Sequence, residues 1–147
     1  MTKYAYRIES RMIREADFPY HGQALCDPRA VAAFLSPLLE RDRENMVVLY
    51  LNTKNKLIGL SIQEGTIDRS VIYPREIVKA ALLSGANAVV LAHNHPSGEP
   101  EPSPEDRAFT ESILSALKTV NIRLLDHVVI GTSTYCSFCE RRLISHE

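Results

Sequence analysis

The chain has 147 residues, a formal net charge of −1 and an ordinary globular composition, with 45% hydrophobic and 24% charged residues. This length allows one domain with a sizeable buried core. The near-neutral charge gives no sign of the basic surface typical of proteins that bind nucleic acid. Two arginine pairs are possible local patches, which we expect to be solvated surface: Arg11 with Arg14, and Arg141 with Arg142.

Apolar runs and cysteines indicate where the protein resides. No apolar run reaches the roughly 20 residues that span a bilayer, and the polar start MTKYAYRIESR is unlike a signal peptide. Three cysteines, an odd number, fit a reducing compartment better than a disulfide framework. We therefore expect a cytoplasmic protein without membrane partners.

An N-terminal extension and a helix are predicted for the first part of the chain. Apolar and charged residues alternate over residues 4–12, so residues 1–26 are interpreted as a strand-like extension. Asp27-Pro28 is typical of a helix start, with proline at the first helical position. An apolar stripe at helical spacing follows: Val31, Phe34, Leu35, Leu38 and Leu39.

Runs of apolar residues predict the strands of one sheet. Met46–Leu51 suits a buried strand, and residues 57–62 are expected to pair with it as a hairpin across the turn NTKNK. Residues 88–92 are apolar on both faces, as expected for a strand covered by helices on both sides. Residues 122–130 and 134–138 complete the predicted sheet.

Two further helices are recognised by their ends. Pro74 stands where a first helical residue should, and Gly85 closes that helix. Another helix is predicted over residues 104–120, with an inward face of Phe109, Ile113, Leu117 and Val120. No internal repeat or linker interrupts the pattern, so residues 1–147 are interpreted as one α/β domain with a mixed sheet.

The candidate functional residues lie at the end of the buried strand and the start of the following helix. His93 and His95 are two apart on the strand, so both imidazoles point to one side and can reach one ion. Asp106 follows in the first turn of the helix. This H-x-H-x(10)-D pattern offers two nitrogen ligands and one oxygen ligand, which suits zinc with a fourth position open, as in catalytic sites.

Each part of this pattern also has an ordinary structural interpretation. Ser103 and Asp106 form a capping box, as the N-cap and N3 residues of the helix. Two histidines two apart on a strand are more often surface or core residues than metal ligands. Their combination with Pro96 and Ser103 at these spacings is much less probable by chance, and it favours a metal site.

The same residues resemble the motif of a known family. H-x-H-P-x(6)-S-x-x-D resembles the JAMM motif of MPN-domain zinc metallopeptidases. The longer stretches GTIDRSVIYPREIVKAALLSGANAVVLAHNHPSGEPEPSPEDRAFT and LLDHVVIG resemble the RadC family, a bacterial branch of that group. The resemblance runs from about Asp27 to the C-terminus. It implies a three-layer α/β/α domain, similar to the cytidine deaminase fold.

The resemblance also implies an activity. It is that of a zinc-dependent hydrolase that cleaves a peptide or isopeptide amide of a polypeptide substrate, with Zn²⁺ held by His93, His95 and Asp106. The family further requires an upstream glutamate that acts as general base on the attacking water. Its place, where the first helix gives way to the first core strand, is Glu44. Glu64 is the competing candidate.

Two of these residues have alternative interpretations. Taken without the resemblance, Glu44 in the run ERDRE reads as a solvated charge. Ser103 is assigned two compatible roles, because it can cap the helix and also lend its hydroxyl to stabilise an oxyanion.

The resemblance raises a DNA-associated alternative. Longer members of the family carry a helix-hairpin-helix segment associated with DNA binding, and the residues before Asp27 are too few for it. We therefore expect a short stand-alone form with weak or no direct DNA binding, and a repair or nuclease-type accessory protein is the alternative function. A zinc deaminase ranks last, because such enzymes use H-x-E with P-C-x-x-C and no glutamate stands in that place here.

Two late motifs complete the candidates. Asp126-His127 lies on a late strand, where a satisfied core pair is favoured slightly over contact with the site or substrate. Cys136 and Cys139 form one C-x-x-C, which lacks the second pair of a structural zinc site and does not begin a helix as in redox proteins. These cysteines are interpreted as incidental, and Cys26 stands alone.

Overall fold

The computed structural model describes residues 3–15, 18–39, 42–63 and 72–144. The elements within these ranges are, in chain order, α1 (Pro28–Leu35), a short 3₁₀ helix (Ser36–Leu38), β1 (Met46–Leu51), β2 (Leu57–Gln63), α2 (Pro74–Ser84), β3 (Ala88–Asn94), α3 (Pro104–Thr119), β4 (Arg123–Ile130) and β5 (Tyr135–Ser137). Glu64, the competing candidate for the general base, lies outside the described residues.

The five strands form one mixed sheet in the order β2-β1-β3-β4-β5. β3 and β4 are parallel, whereas β1 pairs antiparallel with both β2 and β3, and β5 pairs antiparallel with β4. The predicted hairpin and mixed sheet are thereby confirmed. Central β3 is buried along its whole length, so its carboxyl end emerges in the middle of the domain.

Helices cover both faces of the sheet. Along β1, Met46 and Val48 face the cluster that contains α2 and α3, whereas Val47 and Leu49 face the cluster that contains α1. This alternation follows from the twofold period of side chains on a strand. The architecture is the three-layer α/β/α arrangement that the resemblance implied.

Local signals place the helix ends correctly. The Asp27 carboxylate accepts a hydrogen bond from the Arg29 amide at 2.7 Å and caps α1. Gly85 ends α2 with a φ of 68°, in the left-handed region that favours glycine. The apolar run that predicts the central strand covers residues 88–92, and β3 extends over Ala88–Asn94, so it includes His93 and ends one residue before His95.

The prediction of a strand over residues 4–12 is wrong. None of the five strands comes from residues 3–15, and Tyr4, Tyr6 and Ile8 are between 86% and 94% exposed. Alternating apolar and charged residues would give a strand one apolar and one polar face. The strand forms only when a neighbouring strand exchanges backbone hydrogen bonds with it. From residues 18–26, Ala24 makes an isolated bridge with Lys56.

Among the described residues, no helix combines the length and apolar character that a membrane crossing requires.

Candidate metal centre

The two histidines converge at the end of β3. Nε2 of His93 lies 3.0 Å from Nε2 of His95. His93 is completely buried, whereas the side chain of His95 is 17% exposed. The last part of β3 and the residue after it therefore present both rings to one point, as the i, i+2 spacing predicted.

Asp106 brings a carboxylate to the same point from the first turn of α3. Its Oδ1 lies 3.3 Å from Nε2 of His93, and its Oδ2 lies 3.3 Å from Nε2 of His95. It also completes the predicted capping box, because Oδ2 accepts from the Ser103 amide at 2.8 Å while the Ser103 hydroxyl oxygen accepts from the Asp106 amide at 3.1 Å. One carboxylate thus caps the helix and joins the cluster.

Glu44 approaches the cluster from the loop before β1. Its Oε1 lies 4.0 Å from Nε2 of His93, and its side chain is 21% exposed. Glu44, His93, His95 and Asp106 each offer one ligand atom, and these four atoms lie within 4.8 Å of one another. The structure therefore brings together the three predicted ligands and the predicted base, whose roles stay predictions.

The spacing of the donor atoms is close to that of the ligands around a metal ion. Three ligands at about 2.0–2.1 Å from a tetrahedral zinc ion are about 3.3–3.4 Å apart. Here Nε2 of His93 lies 3.0 Å from Nε2 of His95 and 3.3 Å from Oδ1 of Asp106, and Nε2 of His95 lies 3.3 Å from Oδ2 of Asp106. Two imidazole nitrogens and one carboxylate oxygen also match the ligand types of zinc sites. The residues present therefore fit a small divalent metal ion.

A known family model covers the residues that build this cluster. The RadC-like JAB domain model matches residues 25–143. The chain belongs to the RadC family. The matched range contains all five residues of the predicted motif and every strand of the sheet.

Curated relatives within the RadC family share this region. The chain is 43% identical over 135 residues to the UPF0758 protein STH371 of Symbiobacterium thermophilum, covering 90% of this chain and 58% of that protein. It is 48% identical over 122 residues to the UPF0758 protein XAC3915 of Xanthomonas axonopodis pv. citri, covering 82% of this chain and 54% of that protein. The chain therefore spans a little over half the length of these relatives.

The cysteines of this RadC-family chain lie apart from the cluster. The described group that could hold a metal contains none of them, and Cys26, Cys136 and Cys139 are free thiols. Partial desolvation, with the charges of Asp126 and Glu140, raises the pKa of the Cys139 thiol. This disfavours the thiolate that a zinc ligand must be, in keeping with the incidental interpretation.

Asp126-His127 occupies the core of β4. The Asp126 carboxylate accepts hydrogen bonds from the Ser137 hydroxyl at 2.6 Å and the Cys139 amide at 2.9 Å, which join β4 to the end of β5 and to the turn that follows it. Burial outweighs these bonds and raises the pKa of Asp126. The completely buried His127 is a core residue, as favoured, but its Nε2 also lies 2.7 Å from Nδ1 of His93.

Sequence reasoning missed two residues beside the cluster. Asn94 holds the loop that carries Glu44: its amide donates to the Arg43 carbonyl at 2.7 Å, and its carbonyl accepts from the Asn45 backbone amide at 2.9 Å. Thr110 lies against His127 with 2.6 Å between its Oγ1 and Nδ1. Asn94 stands between two predicted ligands in the sequence, and Thr110 lies one helical turn after the third. Their closeness to the ligands along the sequence is the signal that could have identified them.

Proposed function

We propose that this chain is a zinc-dependent hydrolase of the JAMM type, which cleaves a peptide or isopeptide amide bond. Membership in the RadC family and the converging His–His–Asp donors support this proposal. Mixed nitrogen and oxygen donors favour zinc over magnesium or calcium, which prefer oxygen ligands alone. When bound, zinc would polarise an amide carbonyl and lower the pKa of a water molecule.

The position of Glu44 is the observation that carries the proposal. Its oxygen lies 4.0 Å from Nε2 of His93, whereas that nitrogen lies 3.0 Å from Nε2 of His95 and 3.3 Å from Oδ1 of Asp106. Glu44 therefore stands outside the compact set, at a distance suited to a group that acts on water beside it. In this role its carboxylate takes a proton from the attacking water and returns it to the leaving nitrogen.

Ser103 has a hydrogen available for an oxyanion. In the capping box its Oγ accepts from the Asp106 amide, so the hydroxyl hydrogen does not serve the cap. We propose that this hydroxyl donates to the oxygen that gains charge when the amide is attacked.

The exposure of the cluster suggests how a polypeptide substrate would approach. His93 and Asp106 are completely buried, whereas His95 and Glu44 are 17% and 21% exposed. The open side therefore lies between the proposed base and the exposed histidine. We also propose a cytoplasmic location, since the three thiols are free.

Glu44→Gln tests the proposed function, because the amide keeps the size of the side chain and removes its basicity. Zinc content and thermal stability should match the wild type, while turnover of a peptide and isopeptide library falls roughly 10²–10⁴-fold. Glu64→Gln is the control and should change turnover little. If Glu64→Gln silences turnover and Glu44→Gln spares it, Glu44 is not the base. If the zinc-loaded wild type cleaves neither peptides nor isopeptides, the proposed activity is wrong.

A further inference from the structure

A buried chain of hydrogen bonds links two of the candidate ligands through β4 and α3. Nδ1 of His93 lies 2.7 Å from Nε2 of His127, whose Nδ1 lies 2.6 Å from Oγ1 of Thr110. Oγ1 of Thr110 in turn donates to the backbone carbonyl of Asp106 at 2.7 Å. The chain thus begins on one ligand and ends on the backbone of another.

The direction of this chain follows from its last acceptor. A carbonyl only accepts, and a threonine hydroxyl has a single hydrogen, which Thr110 gives to Asp106. The Thr110 oxygen must therefore accept from Nδ1 of His127. A neutral imidazole carries one hydrogen, so Nε2 of His127 is left as the acceptor for the Nδ1 hydrogen of His93.

We propose that Thr110 and His127 are positioning residues that hold the hydrogen of His93 on Nδ1 and so present the Nε2 lone pair to the metal. Nε2 is the atom of His93 that faces His95 and Asp106. A histidine binds a metal through an unprotonated nitrogen, and the hydrogen bond at the other nitrogen selects which one that is. The inference rests on the proposed metal centre and is independent of peptidase activity.

Two observations support a fixed arrangement. The His127 ring is completely buried and stacks on Phe138, with ring centroids 4.7 Å apart and 22° between the planes. His95 also carries its hydrogen on Nδ1, because this atom lies 2.8 Å from the carbonyl of Glu99, which can only accept a hydrogen bond. Both histidines therefore direct Nε2 at the cluster.

Thr110→Val is the decisive variant, because it keeps the shape of the side chain and removes the hydroxyl that sets the direction of these hydrogen bonds. Zinc affinity, measured by competition with a chelator, should fall about 10–100-fold, the usual effect of losing a partner of a metal ligand. Thr110→Ser should restore it. His127→Phe keeps a ring against Phe138 and should weaken zinc binding by a similar factor.

Thr119→Val is the matched control, because this threonine also lies on α3 and donates to a backbone carbonyl one turn earlier, Ser115, at 3.1 Å. It should leave zinc affinity unchanged. The state of the wild-type rings is read directly by ¹⁵N NMR of the metal-free protein with neutral histidines, where His93 should carry its hydrogen on Nδ1. A hydrogen on Nε2, or wild-type zinc affinity in Thr110→Val, overturns the inference. Absence of zinc binding by the wild type overturns the proposed metal centre instead.

Discussion

At the scale of single residues, Asp106 shows how one side chain serves structure and chemistry together. The sequence sets a helix cap against a metal ligand as competing interpretations, yet a carboxylate has two oxygens. Oδ2 accepts the hydrogen bond of the capping box and also lies 3.3 Å from Nε2 of His95, while Oδ1 lies 3.3 Å from Nε2 of His93. The N-terminus of α3 also favours a negative charge there. The cap therefore helps to fix the carboxylate in the cluster.

Substitutions at Asp106 should separate these two roles. Asp106→Asn keeps an oxygen for the Ser103 amide, so α3 should stay capped, whereas zinc affinity falls because the anionic donor is lost. Asp106→Ala should lose zinc and also the acceptor for the Ser103 amide, with the roughly 0.3–1 kcal/mol that a carboxylate in the first turn of a helix contributes. His95→Ala should abolish zinc without the loss of a cap. The measurements are zinc content, expected near one ion per wild-type chain, and thermal unfolding.

The cysteine pair provides the comparison for these variants. Cys136→Ser combined with Cys139→Ser should keep full zinc content, because neither thiol belongs to the candidate group. Loss of zinc in this double variant, with zinc retained in His95→Ala, would place the metal at the cysteines.

At the scale of elements, the centre is a junction of one strand end, one helix start and one loop. Central β3 delivers the histidines, α3 delivers Asp106, and the loop before β1 delivers Glu44. The loop has no helix or strand of its own over residues 42–45, and Asn94 joins it to β3 on both sides of Glu44. Asn94 thus fixes the position of the proposed base.

Asn94→Asp should uncouple the base from the metal. Aspartate keeps the acceptor for the Asn45 amide but faces the Arg43 carbonyl with an acceptor instead of a donor, which costs about 1–3 kcal/mol for a buried group. Turnover should fall, while zinc affinity stays near that of the wild type. Asn52→Asp is the control. Oδ1 of Asn52 accepts from the backbone amides of Lys54 and Lys56, and an aspartate keeps this acceptor. Equal loss of zinc and turnover in Asn94→Asp would contradict this assignment.

Elements with local signals were predictable from the sequence, and contacts across the fold were not. Proline and glycine at their ends placed α1 and α2 within the chain, because these residues act on the backbone nearest to them. The alternation of apolar and charged residues over residues 4–12 gave no such information, since it does not specify which strand would pair with this segment. The contact between His127 and His93 was equally hidden, because it depends on β4 lying beside β3.

At the scale of the whole molecule, charge is balanced and the candidate basic patches are small. The chain has a net charge of −1. Arg141 donates to Glu101 at 2.9 Å, so one pair of arginines is partly neutralised by the loop beside the metal centre. Arg11 and Arg14 lie in the exposed N-terminal segment. The chain covers 58% and 54% of two curated relatives, so DNA binding is predicted for this chain alone and not for proteins of their length.

We predict that this chain binds duplex DNA weakly and without sequence preference at physiological salt. Non-specific affinity comes from neutralised phosphates, with typical dissociation constants of roughly 10⁻⁴–10⁻⁶ M and a slope of log K against log salt of about −0.9 per contact. With Arg141 engaged by Glu101 and two phosphate contacts available from Arg11 and Arg14, the slope should be no steeper than about −2. Arg11→Gln combined with Arg14→Gln should flatten it further. Titration of two unrelated duplexes at several salt concentrations measures both quantities, and tight binding to one duplex alone would favour the DNA-associated alternative over a peptidase.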